Sequence, residues 1–318
     1  MHKEIGGYFE LELNRGNELY NGAIKLNSGR NCFKYLLRAK KPKRIYVPYY
    51  NDKSMRETSL MEMGIEFIYY NVNKELEIDA NINLKEDERI LYVNYYSLKD
   101  KYVDFLSKQY GDKLIIDNTQ AFFSPPLPGI DTFYSLGSKF FGVPSGGYLF
   151  TGSILNERLK EDYTYEGIRH LVGRIDLNAS EFYEDFQLSK LKRNNQEIRT
   201  MSKLSQAILN SIDYEKSRLL RERNFYYLHS QLKDLNELFF TSKLNGPMNY
   251  PLLIRSEKLR KSLIDEKIYV PTYWSEILDL PGASNWEKYL SKYLLPLPID
   301  QRYDLNDMEK IVEIIKKG

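Results

Sequence analysis

An α/β fold with a mostly parallel sheet, followed by a smaller α+β portion, is predicted by three features of this 318-residue sequence. Short apolar runs alternate with amphipathic stretches between residues 29 and 151. The runs are almost continuously apolar, which is how strands covered on both faces of a parallel sheet read. Pro48, Asn94 and Asp117 each stand directly after such a run. In a parallel sheet those positions share the C-terminal edge of the strands, where ligands bind, so the three residues should line one cleft.

The elements follow in order. Ser28-Gly29 precedes a helix over 29–40 whose Phe33, Leu36 and Leu37 give it a buried face. Ser28 suits the N-cap, Gly29 allows close backbone approach, and the free N–H groups of such an end suit a phosphate. Next come a strand at 44–47, a helix over 52–63, strands at 65–69 and 90–93, a helix over 98–109 and a strand at 114–116. The runs 132–135 and 148–151 read as a hairpin-like pair with Gly146-Gly147 at the turn and Lys139 on the connection. Residues 153–229 are polar with a helical pattern, and one long helix within 204–228 should link two lobes. The second lobe should hold a strand at 250–254, a helix over 257–265, the segment 268–271 and a final amphipathic helix over 305–316.

Composition narrows the function. With 46 basic and 44 acidic residues interspersed along the chain, the net charge of +2 nominates no nucleic acid. Cys32 is the single cysteine, so there is no intrachain disulfide framework, and with three scattered histidines a structural zinc site is not expected. The first residues lack the apolar core of a signal peptide and no apolar run reaches membrane-spanning length, so the expectation is a cytoplasmic protein with no membrane partner. The 27 tyrosines, often paired as in Tyr49-Tyr50, Tyr69-Tyr70 and Tyr95-Tyr96, suit half-buried sheet positions.

Asp117 and Lys139 carry the chemistry. They stand 22 residues apart, each at the end of a short apolar run. A pyridoxal phosphate (PLP) enzyme needs such a pair: an acid that keeps the pyridine nitrogen protonated, and a lysine whose amine joins the cofactor aldehyde and later moves a proton on the substrate α-carbon. Gln120 is placed to donate to the ring's phenolic oxygen, and Ser135 and Ser138 offer hydroxyls to the phosphate. The plain alternative is an Asx-turn at Asp117 with Gln120 in solvent.

In that order, Ser28-Gly29, Val47-Pro48-Tyr49-Tyr50, Asp117-Asn118-Thr119-Gln120, Ser135 to Lys139 and Gly146-Gly147 resemble the fold-type I PLP-dependent aminotransferases, in particular the DegT-like sugar aminotransferase branch. The segments Arg199-Thr200-Met201-Ser202 and Leu297 to Tyr303 look like that branch too. The resemblance implies a three-layer PLP-transferase large domain over residues 20–210 and a small α+β domain over 211–318, which the N-terminal residues 1–19 join. It also implies a homodimer with active sites at the subunit interface, glutamate or a similar amino donor, and often a nucleotide-linked keto sugar as acceptor. By resemblance Lys139 is the Schiff-base lysine, Asp117 the pyridinium partner, Gln120 the ring-oxygen contact, and Ser28, Gly29, Arg30 and Ser135 surround the phosphate.

The chain also departs from that pattern. The family places an aromatic or His over the ring four residues after the strand-end proline, where this chain has Asp52; Tyr50 or Tyr95 would then do the stacking. Ser135 stands four residues before the lysine instead of five. The family's Asn-Tyr-Arg-Met-Ser reads Ile198-Arg199-Thr200-Met201-Ser202, leaving Arg199 or Asn195 to reach the partner's phosphate. Tyr273, Trp274 and Arg302 are candidates for the acceptor pocket or for packing. Lys at 139 argues against the branch in which His replaces it and dehydration results. The rival reading is a PLP-fold protein without turnover that serves as a binding or regulatory partner. A nucleotide-dependent Rossmann enzyme is disfavoured because no Gly-x-Gly-x-x-Gly follows the first strand.

Overall fold

A computed structural model describes residues 5–53, 63–137, 139–194, 196–239 and 244–317. Its main sheet has seven strands: β1 (Ile24–Leu26), β2 (Arg44–Pro48), β3 (Glu66–Tyr70), β4 (Glu88–Val93), β5 (Leu114–Asp117), β6 (Asp131–Ser135) and β7 (Gly147–Phe150). They lie in the order β1-β7-β6-β5-β4-β2-β3. The run from β3 to β6 is parallel, β7 is antiparallel to β6, and β1 is antiparallel to β7. The hairpin-like pair is present, with Tyr134 opposite Tyr148 and Ser135 opposite Gly147.

Strand alternation sorts the core into two faces. Leu91, Ile115, Phe133 and Leu149 pack on one side with Cys32, Phe33 and Leu36 of α1 (Gly29–Lys40). Ile90, Tyr92, Leu114 and Ile116 face the other side, toward α2 (Asp100–Tyr110) and the C-terminal lobe. Lys40 at the end of α1 pairs with Asp131 at the start of β6 at 2.6 Å, which sets the helix against the strand.

Beyond the sheet come α3 (Arg169–Asp176), α4 (Tyr183–Asn194), α5 (Lys203–Asn210) and α6 (Tyr214–Leu232). The long helix expected within 204–228 is α6, which begins at Tyr214, where the Asp213 side chain caps it by accepting from Lys216 N at 2.9 Å, and runs on to Leu232; the shorter α5 precedes it. The C-terminal lobe holds β8 (Tyr250–Leu253), α7 (Leu259–Asp265), α8 (Asn285–Tyr293), β9 (Leu294–Leu297) and α9 (Leu305–Lys317). Strand β9 was not foreseen, since Pro296 interrupts its run; it pairs antiparallel with β8 and sets Pro296 opposite Pro251, a placement that a two-stranded edge permits. The helix expected over 52–63 falls mostly outside the described residues, as do Ser138 and Asn195.

Candidate functional site

The C-terminal ends of β2, β4, β5 and β6 form one edge, and the turn after β5 is its most tightly built part. Asp117 is 2% exposed. Its Oδ1 accepts from Thr119 N at 2.8 Å and from Thr119 Oγ1 at 2.5 Å. The Asx-turn of the plain alternative therefore exists, but Gln120 is buried with it. Gln120 Oε1 accepts from Tyr96 N at 3.0 Å and its carbonyl from Ser97 Oγ at 2.6 Å. The amide's NH₂ is the end left to donate. Tyr96 and Ser97 both hold positive φ, 58° and 62°, a strained pair of non-glycine residues docked on Gln120.

Asn94 is buried and does not line an open cleft: its Nδ2 donates to Asp100 Oδ1 at 2.8 Å and Asn118 Oδ1 at 3.2 Å. Its role is to brace the turn. Pro48 is likewise buried, at the end of β2.

Helix α1 meets the same edge. Ser28 caps it by accepting from Asn31 N at 3.1 Å. Gly29 lies so close to β6 that a Cβ there would come within 2.6 Å of the Ser135 Cβ. A Cβ on Gly147 would lie 2.7 Å from Gly29 N. The backbone approach predicted for Gly29 is thus required by contact with Ser135, and Arg30 stands half-buried on the helix's first turn.

Lys139 lies on the 136–146 connection. It is solvent-accessible, yet protein crowds round its amine, and that loss of water pushes the amine's pKa down. Asp52 and Asp117 pull it back up, while Lys190 and Arg193 of α4 push it down. Burial likewise pushes the Asp117 carboxyl up to about 6, against the lowering effect of Thr119 and Lys139. Asp117, Lys139 and Asp52 therefore form one electrostatic group. Nothing in the sequence marked Lys190 or Arg193, which sit in a polar helix, and Asp52 stood out only as a departure from a resemblance.

Tyr50 and Tyr95 are both fully buried. Tyr50 Oη lies 3.0 Å from Tyr96 Oη, and Tyr95 Oη donates to the Tyr50 carbonyl at 2.8 Å. The edge of Trp274 meets Tyr50 with ring centroids 4.6 Å apart. Neither tyrosine has an open ring face in this arrangement. Arg199 lies beside β1, its N–H bonded to Asn27 Oδ1 at 3.2 Å, and Arg302 is held by Asp300 at 2.6 Å. Two surface hollows, one along α6 at Asp213 and Leu219 and one at Pro128 and Phe150, lie away from Lys139. Among the described residues there is no cluster of potential metal ligands, and no helix is long and apolar enough to cross a membrane.

No family model and no curated protein matches the sequence. Solved structures do. Aminotransferase TlmJ from Streptoalloteichus hindustanus superimposes with a TM-score of 0.67 at 13% identity, covering 93% of this chain and 85% of that one. The chain shares its fold. Sugar aminotransferase CalS13 from Micromonospora echinospora gives a TM-score of 0.62 at 14% identity, over 93% of this chain and 87% of that one. The E. coli GDP-4-keto-6-deoxy-D-mannose-3-dehydratase with bound hydrated PLP gives 0.62 at 15% identity, over 92% and 87%. The fold-type I architecture expected from the sequence is therefore the architecture of this chain.

Proposed function

We propose that this protein is a PLP-dependent aminotransferase that moves an amino group from an amino acid, glutamate by preference, to a keto sugar. The carrying observation is the Asp117 carboxylate. Both Thr119 donors use Oδ1, so Oδ2 of a buried carboxylate pushed up to about 6 is the oxygen left to face a ligand's cation. A protonated ring nitrogen satisfies that oxygen and keeps the carboxylate ionised. The Gln120 NH₂, oriented by the Tyr96 N–H, suits a phenolic oxygen, and the α1 start pressed against Ser135 suits a phosphate. The residues present fit the group.

Asp117, Gln120, Lys139, Ser28, Gly29, Arg30 and Ser135 would hold the cofactor. When bound, it supplies an electron sink that weakens the bond between the substrate α-carbon and its hydrogen. Asp117 holds a positive charge at the ring nitrogen. The Lys139 amine, kept reactive by the crowding that lowers its pKa, would take the proton from the substrate α-carbon and hand it on to the cofactor carbon joined to the substrate nitrogen. Lys190 and Arg193 favour the neutral amine in that role.

The same reading assigns residues 20–210 to the large domain and 211–318 to the small one. It also makes the protein a homodimer. Val172 and Ile175 on α3 and Leu188 and Leu191 on α4 are exposed, an apolar surface that a second subunit would cover. Light scattering of the purified protein tests the dimer.

The test of function is direct. Adding pyridoxal phosphate to purified protein should raise a visible absorption band, and borohydride should fix the label on Lys139. L-Glutamate should bleach the band, and keto sugars, free and nucleotide-linked, should restore it to different extents. Lys139→Ala should lose the band; a variant that kept it and still reacted with glutamate would sink the assignment. The enclosure of Tyr50 and Tyr95, with Asp52 at the stacking position, favours a second reading in which the fold binds the cofactor without turnover. A band that glutamate leaves unchanged would establish that reading.

A further inference from the structure

We infer that Arg221 and Gln301 are positioning residues for Lys139, tying the loop that bears it to the C-terminal lobe. The inference rests on the reading of Lys139 as the reactive amine. Within the 136–146 connection Leu136 N closes the two ends on the Gly146 carbonyl at 3.0 Å and Val143 N reaches the Phe141 carbonyl at 2.9 Å, while Lys139 N reaches the Leu136 carbonyl only at 3.5 Å. The Phe140 carbonyl beside the lysine takes its described hydrogen bonds from outside the loop.

Arg221 supplies one of them. This residue of α6 is 1% exposed, one of the largest fully buried side chains in the molecule. Its Nη2 donates to the carbonyl of Phe140, the residue after Lys139, at 2.8 Å, and its guanidinium lies over the Phe140 ring at 4.7 Å. Nη1 donates to the carbonyls of Pro247 and Met248 at 3.2 and 3.1 Å, and Nε to Gln301 Oε1 at 3.0 Å. Gln301 Nε2 in turn donates to the same Phe140 carbonyl at 3.1 Å. Two side chains from beyond residue 210 therefore converge on one carbonyl beside the lysine.

A buried arginine is costly unless every donor is used. Here the direct partners are neutral oxygens, and Asp300 contributes only through its charge. A packing role needs no cation; a fork that must hold several carbonyls in fixed relation does. The neighbouring turn is gripped by the same lobe. Asn245 Nδ2 donates to the Phe123 carbonyl at 2.6 Å, and Gly246 N to Glu222 Oε1 at 3.0 Å. The loop 245–248 thus touches the chain just past Gln120 and, through Arg221, the chain just past Lys139. Further ties on the lysine loop come from Arg193, whose Nη1 donates to the Pro144 carbonyl at 2.6 Å, and from the Asn27 carbonyl, which accepts from Gly146 N at 3.0 Å.

The test compares Arg221→Met, Arg221→Lys and Gln301→Leu with wild type in two measurements. The first is amide hydrogen exchange of the protein without added cofactor. Exchange of residues 136–146 should quicken in Arg221→Met and Gln301→Leu while the strands β4 and β5 keep their protection. The second is bleaching by L-glutamate after loading with pyridoxal phosphate. Its limiting rate should fall about 100-fold in Arg221→Met, the scale of a 1 Å misplacement, with little change in half-saturating glutamate. Arg221→Lys should recover only part of that rate, since a single ammonium cannot reproduce the fork. Should Arg221→Met fail to fold, Gln301→Leu, which removes one of the two bonds to Phe140, carries the test.

Unchanged exchange of 136–146 with a wild-type limiting rate overturns the inference, as does a loss confined to half-saturation. If wild-type protein takes up no cofactor, the proposed function fails by itself. Faster loop exchange in the variants would still support the hold of Arg221 and Gln301 on the loop.

Discussion

Asp117 and Asp52 are two carboxylates at the same edge of the same sheet, and their surroundings give them opposite tasks. Asp117 closes β5, is 2% exposed and takes two hydrogen bonds on one oxygen. Asp52 follows β2 in an exposed stretch. Burial drives the Asp117 carboxyl up to about 6, and Asp52 adds to that rise. On Lys139, burial lowers the amine's pKa, and Asp52 opposes it more strongly than Asp117 does. The comparison teaches that burial makes a carboxylate demand a cation, whereas an exposed carboxylate acts on its neighbour through charge that salt can screen.

The largest break in this comparison is Asp117→Asn. Loss of the charge that holds the ring nitrogen should slow glutamate-driven bleaching on the order of 10²–10³-fold, as for other charges aimed at a reacting centre. The same variant should gain stability without cofactor. The folded-state pKa is raised above the usual 3.8, so the fold accommodates the protonated acid. That contribution is fully present below about pH 4 and is lost as pH rises through about 6. The rise corresponds to about 3 kcal/mol. Thermal melts of cofactor-free protein should show Asp117→Asn well above wild type at pH 8, with the gap narrowing as pH falls and closing below about pH 4. An equal gap at pH 8 and pH 4 would show that the carboxylate is not strained in the empty fold.

These differences also mark what a sequence carries. The α1 helix was legible to its ends, Gly29–Lys40, because Ser28 caps it and its apolar spacing is regular. The parallel strands were legible because buried runs are continuous in composition. The Asp117 turn could be located but not its depth: β4 sets Val93 and β6 sets Phe133 on either side of Asp117, neighbours that are distant in sequence. Tyr50 illustrates the reverse. Its place after β2 suggested an open ring, and only the packing of Tyr95, Tyr96 and Trp274 shows that it is enclosed. Arg221 and Gln301 lie 80 residues apart in sequence, and no local pattern announces that they share one carbonyl.

A smaller effect is expected at Gly29. A methyl there meets Ser135 at 2.6 Å, so Gly29→Ala must push α1 from β6. Overpacking of this kind costs about 1–3 kcal/mol. The affinity for pyridoxal phosphate, titrated by its visible band, should fall about tenfold. Gly152→Ala, whose new methyl meets nothing within 4 Å, is the control and should bind as wild type does. Equal affinities in both variants would remove the helix start from the site.

The smallest effect, and the one that sharpens the comparison most, belongs to Asp52→Asn. Asp52 raises the pKa of Lys139, so its removal lets the amine lose its proton at lower pH. The acid limb of pyridoxal phosphate uptake by the cofactor-free protein should therefore move down in pH, with a rate change at neutral pH of less than about tenfold. Because Asp52 is exposed, the difference should shrink in high salt, whereas the effects of Asp117→Asn should persist. Asp52→Glu should restore the wild-type limb. A limb that stays fixed, or moves upward, would mean that Asp52 does not act on the lysine through its charge and that Asp117 alone balances the amine.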